Sequence, residues 1–173
     1  MIQIEPDAPP LLVIRKKRHR PKVGDVFALQ LVDGLYRFGR VFHTAVPIGG
    51  KDDCGHLILV YRYAAAGLDG CPARLLPDAI LGPPMVTIPV VWSRGYFVHL
   101  QNRPIAPEEV PMPGPCFSNY GDSYFDADGN VVPLNPKLAG FWEFTSEWGI
   151  GTDLTAALAG RGFVHGNGTE AER

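Results

Sequence analysis

Val26-Phe27-Ala28-Leu29-Gln30-Leu31, then Asp33-Gly34, then Leu35-Tyr36-Arg37-Phe38-Gly39-Arg40-Val41-Phe42 read as two β-strands joined by a tight turn. Asp-Gly is a dipeptide favoured in hairpin turns, because glycine accepts the positive φ that such turns demand. Side chains alternate across a strand, so Tyr36, Phe38 and Phe42 share one face while Arg37 and Val41 take the other. The hairpin sets the fold class.

Downstream, Leu57-Ile58-Leu59-Val60-Tyr61-Arg62-Tyr63 is apolar on both faces at first, the mark of a strand inside a sheet. Ala73–Leu81 reads as a short helix around Pro77, stopped by Pro83-Pro84. Val86–Trp92 and Tyr96–Leu100 read as two more strands. Pro104, Pro107, Pro111, Pro113 and Pro115 make 104–119 irregular. Tyr124-Phe125 and Asn130–Leu134 flank Asp128-Gly129 as a second hairpin, and Phe141–Trp148 alternates like an edge strand. Thr152–Ala159 is the best helix candidate, with Thr152 as N-cap, Asp153 in the positive first turn and Gly160 as the stop. Residues 1–14 read as a loose arm, 15–164 as one strand-rich domain and 165–173 as a flexible tail. The expected class is mainly β (α+β), a curved antiparallel sheet or partly open barrel with one or two short helices.

Composition agrees. The 173 residues suffice for one domain with a core. Twenty glycines and 17 prolines exclude long bundles and coiled coils, which cannot absorb so many breakers. The apolar runs Leu11–Ile14 and Leu57–Tyr61 fall far short of the ~20 residues of a membrane span. The basic cluster follows the first of these runs instead of preceding it, which is the wrong order for a signal peptide. Cys54, Cys71 and Cys116 are an odd, sparse set without a CxxC pair. Reduced thiols and a cytoplasmic location are expected, with no membrane partner.

The net charge of -2 hides a split. Arg15, Lys16, Lys17, Arg18, Arg20 and Lys22 lie within eight positions and leave the body acidic. Clustered cations displace counterions from phosphates, so a nucleic-acid-binding module is one reading of this segment. No aromatic residue interleaves the run to stack on bases, which favours a solvated lead-in strand instead. The acidic body points to a cationic protein partner.

Chemical motifs are sparse. Asp126-x-Asp128-Gly129-Asn130 has part of a calcium-loop pattern, but Lys137 stands where the bidentate glutamate would fall. Cys54-Gly55-His56 has no second pair at zinc spacing, and His19, His43, His99 and His165 are scattered, so no metal is expected. A hydrolase built on Cys116 or Cys54 with a distant histidine is a third reading. Gly149-Ile150-Gly151 has Leu154 where a dinucleotide fingerprint wants its last glycine, and reads as a turn into the helix. Trp92, Tyr96, Phe97, Trp142 and Trp148 read as core or rim packing before they read as a ligand cage. No catalytic residue and no cofactor follow from these residues.

Lys16-Lys17-Arg18, Lys22-Val23-Gly24-Asp25-Val26-Phe27-Ala28-Leu29 and Asp33-Gly34-Leu35-Tyr36-Arg37-Phe38-Gly39-Arg40-Val41 together resemble the opening of the immunity protein 26 family, encoded beside polymorphic toxins in bacteria. Leu81-Gly82-Pro83-Pro84 followed by Trp92-Ser93-Arg94-Gly95-Tyr96-Phe97 is similar to that family's middle segment. The likeness covers roughly residues 15–100, and the proline-rich stretch from Pro104 departs from it. It implies a non-enzymatic inhibitor that binds a cognate toxin domain, for instance a nuclease. Exposed acids and aromatics on loops and edges are then the expected partner contacts: Glu108, Glu109, Asp122, Tyr124, Asp126, Glu143 and Glu147.

Overall fold

The computed structural model describes residues 10–50 and 55–161. Among them the chain is mostly β, with nine strands in two open sheets and only two α-helices. The opening hairpin is β1 (Asp25–Gln30) and β2 (Tyr36–Val46), paired antiparallel with Ala28 opposite Phe38. Its turn is tied by the Leu35 amide donating to Asp33 Oδ1 at 2.9 Å and by Arg37 donating to Asp33 Oδ2 at 2.8 Å. Next come β3 (Gly55–Ala65), β4 (Ile80–Thr87) and β5 (Val98–Asn102), giving a five-stranded sheet in the order β4-β3-β2-β1-β5. β4 and β5 are the two edge strands and do not pair with each other, so the sheet does not close into a barrel; β4 is covered at one point by a parallel bridge from Val86 to Phe144.

Pro83 and Pro84 do not stop a helix; they lie inside β4. An edge strand tolerates proline because one side of its backbone needs no ladder partner. The register also slips there, with Ile58 opposite Met85 and Val60 opposite Leu81. The expected helix around Pro77 is a single 3-10 turn, Pro77–Ala79. The strand expected over Val86–Trp92 ends at Thr87, and Pro89, in the helical backbone region, serves as N-cap of α1 (Val90–Ser93).

Both faces of the large sheet are covered. Phe27, Leu29, Val41, Ile58 and Val60 pack against Trp92, Phe97, Leu11 and helix α2 (Glu147–Leu158). Val26, Ala28, Phe38, Leu59 and Tyr61 pack against Leu75, Ala79 and Leu138 on the opposite face. Each fully buried apolar side chain stabilises by about 1.5–3 kcal/mol, so this sandwich supplies the bulk of the core.

The second sheet is β6 (Cys116–Ser118), β7 (Tyr124–Phe125), β8 (Val131–Val132) and β9 (Ala139–Phe141), in the order β8-β7-β6-β9. Its β7–β8 pair is the hairpin read at Asp128-Gly129, while β6 and β9 run parallel. Phe117 and Trp142 dock the small sheet on Val46, Leu57 and Val86 of the large one. The edge strand expected over Phe141–Trp148 is cut short, because Ser146 turns the chain into α2.

That helix begins five residues before the expected Thr152. Ser146 caps it by accepting from the Gly149 amide at 3.3 Å, so Gly149-Ile150-Gly151 is helical and not a turn before the helix. Ile150 and Leu154, one turn apart, are fully buried. Gly151 lets the N-terminal segment lie against the helix, since a Cβ there would sit 2.5 Å from the Pro10 ring.

Asp153 is therefore a buried mid-helix residue and not a first-turn acid. Burial, aided by the charge of Glu143, pushes its carboxyl up from 3.8 to about 6. A carboxyl raised in the folded state stabilises least once pH exceeds both values. Asp153→Asn is expected to stabilise the protein near pH 8 by about 1–3 kcal/mol, a gain that shrinks through pH 6 and vanishes below pH 3.8. Urea denaturation at the two ends of that range reads the difference directly. No helix among the described residues is long and apolar enough to cross a membrane.

Candidate functional site

The seven expected partner contacts separate into different environments. Glu109 is not a surface acid: it is fully buried at the end of a 3-10 turn, Pro107–Glu109. Arg40 of β2, equally buried, donates to Glu109 Oε2 at 2.6 Å, and Arg103 donates to Oε1 at 2.9 Å. The backbone amides of Leu75 and Ala106 also donate to the carboxylate, at 2.9 and 3.0 Å. Burial alone would raise its pKa, but these amides and Arg40 outweigh it and hold the carboxyl at about 2. The physical reason for the correction is Arg40. A guanidinium on an inward strand face needs a counterion, and the proline-rich segment supplies one.

Glu108, the next residue, is exposed and pairs with Arg74 at 2.8 Å. Glu147 opens α2 and is largely covered, meeting exposed Arg94 in a salt bridge. Asp126 is occupied by its own hairpin, accepting from the amides of Asp128 and Asn130 at 3.0 and 2.9 Å. Across that turn Asp128 bonds His43 of β2 at 2.7 Å, which anchors the hairpin to the large sheet.

The remaining three, Asp122, Tyr124 and Glu143, gather around one surface. Phe117 is buried opposite Phe125, so alternation sends Ser118, Tyr124 and Phe141 to the other, outward face of the small sheet. Tyr120, 65% exposed, lies over this face with its ring 5.0 Å from that of Phe141. Its hydroxyl donates to Glu143 Oε2 at 2.7 Å, and that bond, followed by partial burial, pushes the phenol up to about 12. Asp122 stands exposed in the adjoining loop. Tyr120 was missed by sequence reading, although its position in a Ser-Asn-Tyr-Gly turn two residues from Asp122 marks it as a surface aromatic.

The basic segment runs as an extended strap with no regular secondary structure. The Ile14 and Arg15 amides donate to the Gly95 carbonyl at 2.8 and 3.3 Å. Gly95 permits this crossing: its φ is +91°, and a Cβ would lie 2.9 Å from the strap backbone. Arg15, Lys16, Lys17, Arg18, Arg20 and Lys22 are all exposed along it.

Beside the strap, three side chains unconnected in the sequence reading converge. Asp25 starts β1 and is 1% exposed. His19 Nε2 lies 2.7 Å from its Oδ2, and His99 Nδ1, on β5, lies 3.8 Å from the same oxygen. Asn102 donates to Oδ1 at 2.7 Å and the Lys22 amide to Oδ2 at 2.9 Å. Burial raises the Asp25 pKa, but the Asn102, His19 and Lys22 bonds together bring it below the ordinary value. Trp92 and His56 complete the surroundings, with ring centroids 6.3 Å apart. Burial lowers the His56 pKa, partly opposed by the charge of Asp25.

For Cys116 the structure shows packing in place of a nucleophile's surroundings. Cys116 is buried, and its sulfur accepts from the Asn135 amide at 3.2 Å. Burial raises the Cys71 pKa, the reverse of nucleophile activation. Cys54 lies outside the described residues. No protein-family model, no curated protein and no solved structure matches the chain.

Proposed function

We propose that the chain is a non-enzymatic immunity protein of a bacterial polymorphic toxin system, acting in the cytoplasm. It binds its cognate toxin domain through the outward face of the small sheet. The observation that carries this reading is Tyr120, an exposed aromatic ring fixed by Phe141 below and Glu143 at its hydroxyl. Rigid, amphipathic tyrosines are frequent interface hot spots, since little side-chain entropy is lost when they are covered. Asp122 and Glu143 beside the ring suit a cationic partner, and nuclease domains that hold polyanions are of that kind. The likeness of residues 15–100 to the immunity protein 26 family supports the same reading. The output is a complementary surface; no bond is made or broken by this chain.

Co-expression with the toxin encoded next door is expected to rescue growth and yield a stable complex. Tyr120→Ala should weaken that complex by about 10–100-fold, chiefly through faster dissociation. Asp122→Lys should slow association and lessen its salt dependence. Failure of both rescue and complex formation defeats the proposal. A second reading, nucleic-acid binding by the strap, is favoured by the exposure of all six of its cations. It requires an affinity that falls steeply with salt and is lost in a Lys16→Glu/Lys17→Glu variant. No retardation of DNA or RNA at low salt removes it.

A further inference from the structure

We propose that His19, Asp25 and His99 form a binding site for a divalent transition metal of the zinc class, clamping the basic strap to the sheet. The donor atoms are two imidazole nitrogens and one carboxylate oxygen, all within 4.8 Å of one another. In a tetrahedral zinc site with bonds of about 2.0–2.1 Å, ligand atoms lie roughly 3.3 Å apart. The His19–Asp25 and His99–Asp25 separations, 2.7 and 3.8 Å, fall on either side of that spacing. Imidazole and carboxylate together suit zinc and its neighbours, whereas hard ions such as magnesium prefer oxygen alone.

The surroundings supply what such a site needs. The Asp25 carboxylate is buried and pairs with neither lysine nor arginine side chain among its described contacts, which leaves the two histidines as its charged neighbours and an ion as a counter-charge it can accept. Asn102 and the Lys22 amide orient it, as outer-shell partners orient metal-binding carboxylates. His99 Nδ1 is enclosed and has no hydrogen-bond partner, which leaves its lone pair available. A cavity of about 50 Å³ adjoins the two histidines, walled by Trp92 and Phe97 and reached by Arg15 and Lys17. It has room for an ion and one water. Arg15 and Lys17 oppose a second positive charge, so the fourth ligand expected there is a small anion that offsets both.

The rings of His19 and His99 stack at 4.2 Å, so ligation requires one ring to turn until both lone pairs meet. His19 lies on the strap, outside the regular elements, and β1 and β5 hold the other two ligands, so the turning ring is that of His19. One ion would then tie three chain segments together.

The test is calorimetric titration of the full chain, stripped by chelator, with zinc sulfate and separately with magnesium chloride, together with thermal denaturation and cobalt(II) absorption. Expected are one saturable zinc equivalent, tetrahedral cobalt bands and a raised melting temperature, with no response to magnesium. His19→Ala and His99→Ala should each lower zinc affinity at least 10-fold, and His43→Ala should not. If His99→Ala fails to fold, His19→Ala on the strap decides alone. Absence of a one-equivalent zinc isotherm, or unchanged affinity in His19→Ala, overturns the proposal and leaves an ordinary histidine–aspartate pair. No toxin enters this experiment, so its result is independent of the immunity reading.

Discussion

Glu109→Ala is expected to destabilise the folded chain by about 3–5 kcal/mol, because it leaves Arg40 as an uncompensated charge in the interior. Both side chains of the pair are inaccessible to solvent, so water cannot replace the lost carboxylate. The variant also orphans the Leu75 and Ala106 amides and removes both contacts of Arg103 Nη1. Arg40 already has Nε and Nη2 without partners, so the network has no spare acceptor to redistribute. Replacing Arg40 and Glu109 together with methionines is expected to cost less than Glu109→Ala alone, since the desolvation of both charges disappears. The pH profile carries the same signature. Glu109 ionises at about 2 in the folded protein against 4.5 in a free chain. Its contribution is thus complete above pH 4.5 and drains away as pH falls towards 2. Denaturant melts across that window should show a flatter acid limb in Glu109→Ala than in the wild type.

This network also marks where sequence reading stops. Two adjacent acids behind a proline look like a solvated turn, and nothing within several residues of Glu109 says otherwise. Its partner lies 69 positions earlier, on a strand whose neighbours Phe38 and Tyr36 are apolar. The usable signal was Arg40 itself, a charge on a face otherwise meant for the interior. Local patterns fared better. Asp33-Gly34 and Asp128-Gly129 located both hairpins, since turn chemistry is decided by the turn residues themselves. Alternation overreached at Phe141–Trp148, because period two is necessary for a strand and is met by other conformations. There the Ser146 cap and the Ile150–Leu154 spacing prevailed. The His19–Asp25–His99 cluster is invisible for a topological reason. Pairing of β1 with β5 brings Asp25 near His99, and that pairing skips three intervening strands.

Trp92→Ala is expected to cost about 3–5 kcal/mol, the range for deleting a large aromatic from a packed interior. Trp92 is 1% exposed on the four-residue helix α1, and it is the hub of one core face. Its ring meets Phe97 edge-on at 5.0 Å and Phe27 at 5.5 Å, geometries that favour aromatic pairs beyond their buried area. The same ring lies 6.3 Å from both His19 and His56. Truncation therefore opens a void that reaches from the sheet to the strap, and neither β1 nor β5 can close it without breaking their ladder. Trp92→Phe separates packing from polarity. The indole Nε1 is buried without a partner, so phenylalanine removes an unsatisfied donor while keeping most of the volume. Its cost should be about 1–2 kcal/mol or less, well below that of alanine. Equal losses in the two variants, measured by urea denaturation, would mean that Nε1 holds a hydrogen bond and that the indole is retained for its polar edge.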